Sequence, residues 1–322
     1  MKAVRVHEYG GRDKMMFEDV DRPSPGPDEA VVRIEAAGVN YIDTYHRTGL
    51  YPLNLPFTLG LEGAGVVDAV GERVDRFSAG DRVAFANGQG AYAEYGLCQA
   101  DRMISIPDGL GFRTAAAAML QGMTAHYLSH GSFALQPGHT ALVHAGAGGV
   151  GLLLTQMAKR LGAHVISTVS TDAKAELSSG AGADDVILYT QADFKDEVER
   201  LTGGAGVDVV YDSVAKDTFE RSLACLRARG MLVLYGQSSG PVTSFNPRAL
   251  SDGGSLFMTR PTLGNYIASR EELEQRAGDV LQWVADGSLS LRTEHDYPLA
   301  DAVEAHRALE GRKTTGKVLL IP

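Results

Sequence analysis

Cysteine and tryptophan are scarce in this sequence, and acidic residues outnumber basic ones. Its 322 residues include two cysteines, Cys98 and Cys225, and one tryptophan. Two cysteines are too few for a disulfide framework or a four-cysteine zinc site. A formal net charge of −10, with no basic tract, argues against a nucleic-acid partner. No apolar run approaches membrane-spanning length and no secretory signal is visible, so we expect a cytoplasmic protein without a membrane partner.

A cluster of glycines follows a short apolar stretch near the middle of the chain. Residues 140–143 are typical of a buried strand, and residues 152–162 of a helix with a glycine stop. Between them, Gly146, Gly148 and Gly151 fit the G-x-G-x-x-G spacing of a dinucleotide-binding loop. Such glycines let the backbone approach a pyrophosphate at a helix N-terminus. A glycine-rich turn without a ligand is the alternative, but the flanking strand and helix favour a nucleotide site.

The sequence pattern changes near residue 120. Before it, short β-like runs alternate with turn residues, which predicts a mostly antiparallel, barrel-like domain. After it, strands and helices alternate, which predicts an α/β domain with a doubly wound parallel sheet. We expect a cofactor domain at residues 121–261 and a second domain from residues 1–120 with 262–322, which the final strand rejoins. Predicted strands lie at residues 2–7, 16–20, 30–37, 63–70, 82–86, 91–97, 140–143, 164–169, 185–188, 207–211, 230–235 and 316–321, and predicted helices at 121–132, 152–161, 172–180, 193–201, 216–227, 271–286 and 299–309.

Several short motifs are spread over nearly the whole chain. They are GVNYID (38–43), RTGLY (47–51), LGLEGAG (59–65), AGDRV (79–83), AGAGGVG (145–151), VYDSV (210–214), YGQSSG (235–240), TRP (259–261) and TGK (315–317). In these motifs the sequence resembles the medium-chain dehydrogenase/reductase superfamily, and within it the zinc-free quinone oxidoreductases that include zeta-crystallin. The resemblance implies a GroES-like β-barrel catalytic domain, a Rossmann cofactor domain and NADPH-dependent reduction of a quinone.

The residue types at the expected zinc positions argue against a metal. Zinc members of the superfamily carry a cysteine after the Gly-Val pair and a histidine before the glutamate of Gly-x-Glu. Here those positions hold Asn40 and Leu61, and Glu62 is left as a lone carboxylate. One carboxylate without thiolate or imidazole partners does not hold catalytic zinc. The histidines, His126 and His144 among them, are scattered, and we expect no metal site.

The end of the second predicted strand of the cofactor domain bears on the choice of nicotinamide cofactor. NAD-binding proteins usually carry an acidic residue about 20 residues after the glycines, where it binds the ribose 2′-hydroxyl. The strand here ends at Ser170, and the resemblance implies that Ser170, Lys174 and Tyr189 bind the 2′-phosphate of NADP(H). Asp172 is the contrary feature, and we expect it to cap the next helix. The alternatives are that Asp172 is a ribose ligand and that Lys174 is an ordinary solvated lysine.

The resemblance assigns the remaining cofactor and substrate contacts. Asn40, Tyr45 and Tyr51 lie in the stretch that resembles the active-site wall, where a tyrosine hydroxyl could donate to the substrate or its ring could stack on it. A packing role is the alternative for both tyrosines. Asp43 is expected to fix the loop, because a carboxylate disfavours a forming anion. The predicted cofactor contacts are Gly148, Gly149, Val150 and Gly151 at the pyrophosphate, Gly236, Gln237 and Ser238 on the nicotinamide side, Thr124 and Asn40 at the nicotinamide, and Lys216.

These features leave three functions open. The first is NADPH:quinone oxidoreductase activity without zinc, because a phenolate that forms on a quinone needs only hydrogen-bond donors. The second is reduction of an activated C=C bond in an enone or enal, and the third is a non-enzymatic NADPH-binding role. The run at residues 254–259 predicts an apolar edge strand, which two copies would cover by pairing in a homodimer.

Overall fold

A computed structural model describes residues 1–86 and 88–322 of the chain. These residues form two compact units: Met1–Met123 with Tyr266–Pro322, and Thr124–Asn265. Within these residues, no helix is both long and apolar enough to cross a membrane.

The first unit begins with antiparallel β structure. Its elements are β1 (Lys2–Val6), β2 (Met15–Asp19), β3 (Glu29–Val39), α1 (Tyr41–Thr48), β4 (Phe57–Thr58), β5 (Glu62–Val70), β6 (Arg82–Phe85), β7 (Tyr95–Gln99), β8 (Met103–Ser105) and α2 (Phe112–Tyr127), which continues into the second unit. One sheet has the order β2-β1-β4, and a larger sheet contains β3, β5, β6 and β8, with β7 also paired to β3. β3 and β5 cross so closely at Gly65 that a Cβ there would lie 2.9 Å from the Arg33 carbonyl carbon, which explains the glycine.

The second unit is built on a parallel sheet. Its elements are β9 (Thr140–His144), α3 (Gly149–Arg160), β10 (His164–Val169), α4 (Asp172–Gly180), β11 (Asp185–Leu188), α5 (Phe194–Leu201), β12 (Val207–Asp212), α6 (Phe219–Ala224), β13 (Leu226–Leu234), α7 (Arg248–Asp252), β14 (Phe257–Thr259) and α8 (Leu263–Tyr266), the last of which ends at the first residue of the next segment. The strand order is β11-β10-β9-β12-β13-β14, and every neighbouring pair is parallel. This order confirms the predicted doubly wound sheet.

The last segment returns to the first unit. It contains α9 (Arg270–Ala285), β15 (His295–Pro298), α10 (Ala302–Glu310) and β16 (Val318–Ile321). β16 pairs antiparallel with β3 and parallel with β15, so the larger sheet has the order β15-β16-β3-β5-β6-β8. The prediction that the final strand rejoins the first domain is therefore confirmed.

Several predicted elements have different bounds in the structure, and three of them illustrate the causes. The apolar run at residues 91–97 is a strand only from Tyr95, because Tyr92 and its neighbours are buried as a loop whose backbone bonds Leu59 and Val4. The helix predicted at residues 121–132 begins at Phe112 and ends in a π-helical turn at Leu128–Ser132. The helix predicted at residues 216–227 is shortened to α6, because β13 already begins at Leu226 opposite Val207.

The predicted edge strand is present but short. β14 covers only Phe257–Thr259 and pairs on one side with β13 at the end of the sheet order. Gly254 and Ser255 have φ angles of 101° and 60°, which bend the chain away from extended geometry before the strand begins. Phe257 and Met258 are 56% and 38% exposed.

Candidate cofactor edge and active-site cluster

The glycine loop of the second unit follows β9 at the carboxyl edge of the parallel sheet. Ala145 turns the chain with a φ of 55°, and Gly146 donates its N–H to the Thr168 carbonyl oxygen of β10 (3.1 Å). A side chain at Gly146 would collide with the Ser167 hydroxyl, and one at Gly151 would lie 2.9 Å from Cα of Gly146. These glycines are therefore required by close packing of the loop, as a dinucleotide-binding turn requires.

The first turn of α3 presents backbone donors. Gly148 is its N-cap residue and supplies no side-chain hydrogen bond, whereas α4, α5 and α9 are capped by Thr171, Asp193 and Ser269. The Gly148, Gly149 and Val150 positions are half-buried. Uncapped N–H groups at a helix N-terminus attract an anion, so this turn fits a dinucleotide pyrophosphate.

Ser170, Lys174 and Tyr189 lie around the ends of two paired strands. Ser170 and Tyr189 directly follow β10 and β11, which pair in register through Val169 and Leu188. The Tyr189 N–H donates to the Val169 carbonyl oxygen (3.1 Å), and the Tyr189 side chain is 40% exposed. Lys174 lies in the first turn of α4, at the same edge. A cation and two hydroxyls here suit a phosphate dianion.

The predicted role of Asp172 as a helix cap is wrong. Thr171 is the N-cap residue of α4, and its hydroxyl accepts from the Lys174 backbone N–H (3.4 Å). Asp172 is instead the first helical residue and is exposed. A threonine directly before the helix offers the capping hydroxyl one position earlier than expected. The Asp172 carboxylate still lies in the first turn, where the helix dipole favours negative charge.

The other predicted cofactor residues of the second unit follow β12 and β13. The Ser238 N–H donates to the Ser213 carbonyl oxygen (3.0 Å), and Arg260 donates to the Gln237 side-chain oxygen (2.9 Å). Gly236 packs so tightly on Ser213 that a Cβ would lie 2.7 Å from its carbonyl oxygen. Lys216 is exposed and bonds Gly240 through its backbone, and Thr124 is buried in the part of α2 that belongs to this unit.

A buried carboxylate, Asp212, organises this edge and was not predicted from the sequence. It ends β12, is fully buried, and accepts the backbone N–H groups of Val214 and Ala215 at 2.7 and 3.0 Å. Its other oxygen accepts from the hydroxyls of Thr218 (2.7 Å) and Ser222 (2.9 Å). The sequence signal is the YDS motif, in which an acid that ends an apolar strand needs several donors.

In the first unit, Glu62 lies at the centre of a buried polar cluster. Its Oε2 atom forms an ion pair with the Lys317 ammonium and accepts from the Asn40 side-chain amide (2.8 Å). Its Oε1 atom accepts from the Leu120 backbone N–H (2.5 Å). Glu62 is fully buried, and Lys317 and Asn40 are 2% and 3% exposed. All three of these partners are hydrogen-bond donors.

The cluster does not have the ligand chemistry of a zinc site. Within the described residues, no group of three or more His, Cys, Asp or Glu side chains is arranged to hold a metal ion. The Asn40 and Lys317 nitrogens are protonated donors that occupy Glu62, and Leu61 contributes no ligand atom. A lysine ammonium therefore balances the charge of the glutamate.

A second hydrogen-bonded chain ends on Asp43 of α1. Arg47 donates to His306 Nδ1 (3.0 Å), so the neutral ring carries its proton on Nε2, which donates to the Tyr92 hydroxyl (3.2 Å). Tyr92 in turn donates to Asp43 Oδ2 (2.8 Å), which also accepts from the Asn40 backbone N–H (2.8 Å). Burial raises the pKa of Asp43 to about 7 and lowers the pKa of His306 to about 3. This chain fixes α1 against α10.

Tyr45 and Tyr51 lie side by side on and after α1. The Tyr51 N–H donates to the Tyr45 carbonyl oxygen (3.1 Å), and the two rings meet edge to face with centroids 5.3 Å apart. Gly49 makes this return possible, since it ends α1 with a φ of 78°. Both tyrosines are half-buried, and Asn40 immediately precedes the same helix. The three predicted catalytic residues thus lie directly before, on and after α1.

Two family matches cover most of this architecture. Residues 26–108 match the family described as "Alcohol dehydrogenase GroES-like domain", and residues 149–283 match "Zinc-binding dehydrogenase". A quinone oxidoreductase of Pseudomonas aeruginosa is 45% identical over 100% of this chain and 99% of its own length. The chain belongs to the quinone oxidoreductase family of the medium-chain dehydrogenase/reductase superfamily. The GroES-like and Rossmann fold prediction is confirmed.

Two further similar proteins of this family bear on chemistry. The crystal structure of an Escherichia coli quinone oxidoreductase complexed with NADPH superposes with a TM-score of 0.98, at 42% identity and 100% coverage of both chains. A 2-haloacrylate reductase of a Burkholderia species is 41% identical over 99% of this chain and 98% of its own length.

Sequence reasoning missed the roles of Lys317 in the Glu62 cluster and of Tyr92 and His306 in the chain that ends on Asp43. The sequence does carry a signal for Lys317: a glutamate inside the glycine-rich, apolar run LGLEGAG must be buried, and a buried carboxylate requires a countercharge. Nothing in the local pattern identifies which distant residue supplies it. The partner lies 255 residues away along the chain.

The raised pKa of Asp43 predicts a specific pH dependence of stability. In the folded protein the pKa of Asp43 is about 7, whereas the pKa of an aspartate in the unfolded chain is about 3.9. Each pKa unit of this difference corresponds to about 1.4 kcal/mol of unfolding free energy. This carboxyl therefore contributes most stability below about pH 4, and that contribution is lost as pH rises towards 7. As pH rises, the unfolding free energy of Asp43→Asn should therefore decline by up to about 4 kcal/mol less than that of the wild type.

Urea unfolding of the wild type and Asp43→Asn at several pH values between 4.5 and 7.5 measures the effect. Asp75→Asn, an exposed change in the same unit, is the control and should follow the wild type. Parallel stability profiles for Asp43→Asn and the wild type would contradict the expectation.

Proposed function

We propose that the protein is an NADPH-dependent quinone oxidoreductase that needs no metal ion. The observation that carries the proposal is the uncapped first turn of α3 behind the close-packed glycine loop, which is a ready site for the cofactor pyrophosphate. When bound, NADPH supplies a hydride from its nicotinamide ring to the acceptor. Membership of the quinone oxidoreductase family supports the same reaction.

The second unit is the proposed cofactor-binding part. The N–H groups of Gly149, Val150 and Gly151 bind the pyrophosphate, and Ser170, Lys174 and Tyr189 bind the 2′-phosphate. Gly236, Gln237, Ser238, Thr124 and Lys216 are the further proposed contacts. Because several strand ends share this edge, an extended dinucleotide can engage all of them at once.

The first unit is the proposed acceptor-binding part. The hydroxyl of Tyr45 or Tyr51 donates to the acceptor oxygen on which negative charge develops, and the aromatic rings orient a flat acceptor. Asn40 contacts the nicotinamide ring. A quinone needs no Lewis acid, because its reduced form is a resonance-stabilised phenolate that hydrogen bonds can stabilise.

Cofactor oxidation with a panel of acceptors tests this function. We expect NADPH absorbance at 340 nm to fall with small quinones, and to fall equally after treatment with a chelator. The similarity to a 2-haloacrylate reductase favours reduction of activated C=C bonds as a second candidate, so the panel includes enones, enals and a 2-haloacrylate. NADPH oxidation with the activated alkenes but not with the quinones would identify the protein as a C=C reductase. NADPH binding without oxidation by any acceptor would support a non-enzymatic role. Activity that depends on stoichiometric zinc would contradict the metal-free proposal.

Lys174→Ala tests the phosphate site. One charge-assisted hydrogen bond contributes about 1.5–3 kcal/mol, so its loss should raise the KM for NADPH roughly tenfold to a hundredfold. The KM for NADH, which has no 2′-phosphate, should hardly change. Lys195→Ala removes an exposed lysine of the same unit and is the charge-matched control. Equal effects on both cofactors, or a wild type that prefers NADH, would make Asp172 the better candidate for ribose recognition.

A homodimer through β14 is the proposed assembly. The exposed Phe257 and Met258 lie on the unpaired edge of the parallel sheet, where a second copy could extend it across a two-fold axis. Light scattering at micromolar concentration should give twice the mass of one chain, and Phe257→Lys should shift the measured mass towards that of a single chain. Phe17→Lys, at an exposed phenylalanine of edge strand β2, is the matched control. A monomeric wild type would rule out this assembly.

A cytoplasmic location completes the proposal. Cys98 and Cys225 are both free and buried, and free cysteines suit a reducing compartment.

A further inference from the structure

The hydrogen-bonding capacity of the Asn40 side-chain amide is used up inside the first unit. Its nitrogen donates to Glu62 Oε2 (2.8 Å) and to the Gly38 carbonyl oxygen (3.2 Å). Its oxygen accepts from Lys317 Nζ (2.8 Å) and from Gln121 Nε2 (3.4 Å). An amide has two donor hydrogens and two acceptor lone pairs, so each has a partner.

The two charged neighbours determine which way this amide faces. An ammonium can only donate and a carboxylate can only accept, so the oxygen must face Lys317 and the nitrogen must face Glu62. The flipped amide would place like groups together at both contacts. The Lys317–Glu62 pair therefore distinguishes two orientations that have nearly the same shape.

Gly38 provides the space that the pair occupies. A Cβ at this position would lie 2.7 Å from Cε of Lys317 and would overlap the Glu62 carboxylate. Gly38 is not among the glycines with a positive φ, so its backbone does not demand glycine. The absence of a side chain at residue 38 serves the ion pair rather than a turn.

We propose that Lys317 is a positioning residue for the reduction: with Glu62 it holds the Asn40 amide in one orientation. The inference rests on the proposed function, in which Asn40 contacts the nicotinamide ring. Asn40 then presents a fixed edge to the ring and has no hydrogen left to donate to the acceptor, so donation falls to Tyr45 or Tyr51. Lys317 acts only through Asn40.

Lys317→Met, which keeps the length of the side chain but removes its charge, tests the inference by steady-state kinetics. We expect kcat to fall about tenfold to a hundredfold, because small errors in position are costly in an oriented site. The KM for NADPH should stay near the wild-type value, because the second unit binds the phosphates. Lys313→Met changes an exposed lysine of the same segment and is the control.

Amide exchange gives a readout that does not depend on turnover. The sequence has five asparagines, so side-chain 15N labelling of asparagine gives few signals, and Asn40→Asp identifies the Asn40 pair. In the wild type, the Asn40 NH2 protons should exchange slowly with water. In Lys317→Met and in Gly38→Ala, which displaces the pair without removing a charge, exchange should be at least about tenfold faster, the equivalent of about 1.4 kcal/mol.

A double variant separates positioning from stability. Lys317→Met destabilises the fold because it leaves a buried glutamate without its partner, whereas Lys317→Met with Glu62→Gln removes both charges. We expect this double variant to regain thermal stability yet keep a low kcat and fast Asn40 exchange. Recovery of kcat together with stability would overturn the inference, as would unchanged exchange in Lys317→Met. If none of the acceptors in the panel supports NADPH oxidation by the wild type, the proposed function fails. The exchange data still decide whether Lys317 orients Asn40.

Discussion

The burial of the Glu62 carboxylate is the constraint on which much of the first unit depends. A charge without access to water is tolerated only when donors surround it. Glu62 obtains them from three separate parts of the chain: Asn40 after β3, the Leu120 N–H of α2, and Lys317 before β16. Each donor must stand in a particular place, so one charge at the start of β5 specifies how three other segments pack.

Asp212 has a comparable role in the second unit. It ends a buried strand and its donors all lie within the next ten residues, Val214 to Ser222. The carboxylate therefore shapes a local loop, whereas Glu62 joins distant segments. Both units therefore surround a buried carboxylate with hydrogen-bond donors, but the donors lie at very different separations along the chain. In both units the carboxylate lies next to residues proposed to contact the cofactor.

Local and periodic features were predictable from the sequence, and features that depend on distant partners were not. The glycine spacing and the alternation of strands and helices predicted the parallel sheet, because those signals are short-range. The capping residue of α4 was misassigned by one position, since Thr171 and Asp172 both suit a cap and only the backbone geometry distinguishes them. The early start of β13 was missed because its pairing with Val207 lies outside its own sequence. Lys317 belongs to the TGK motif, but its contact with Glu62 is a product of the whole fold.

The discontinuity of the first unit has a consequence for the order in which the chain can fold. The second unit is continuous in sequence, so it can close while later residues are still being synthesised. The first unit needs β16 beside β3 and Lys317 beside Glu62, and both partners appear only after the entire second unit has been made. A nascent chain can thus acquire the parallel sheet and its glycine loop before the first unit is electrostatically complete. The buried Glu62 carboxylate would then gain its ammonium partner only once the last strand is in place, so the charge balance of the first unit is completed later in synthesis than the fold of the second.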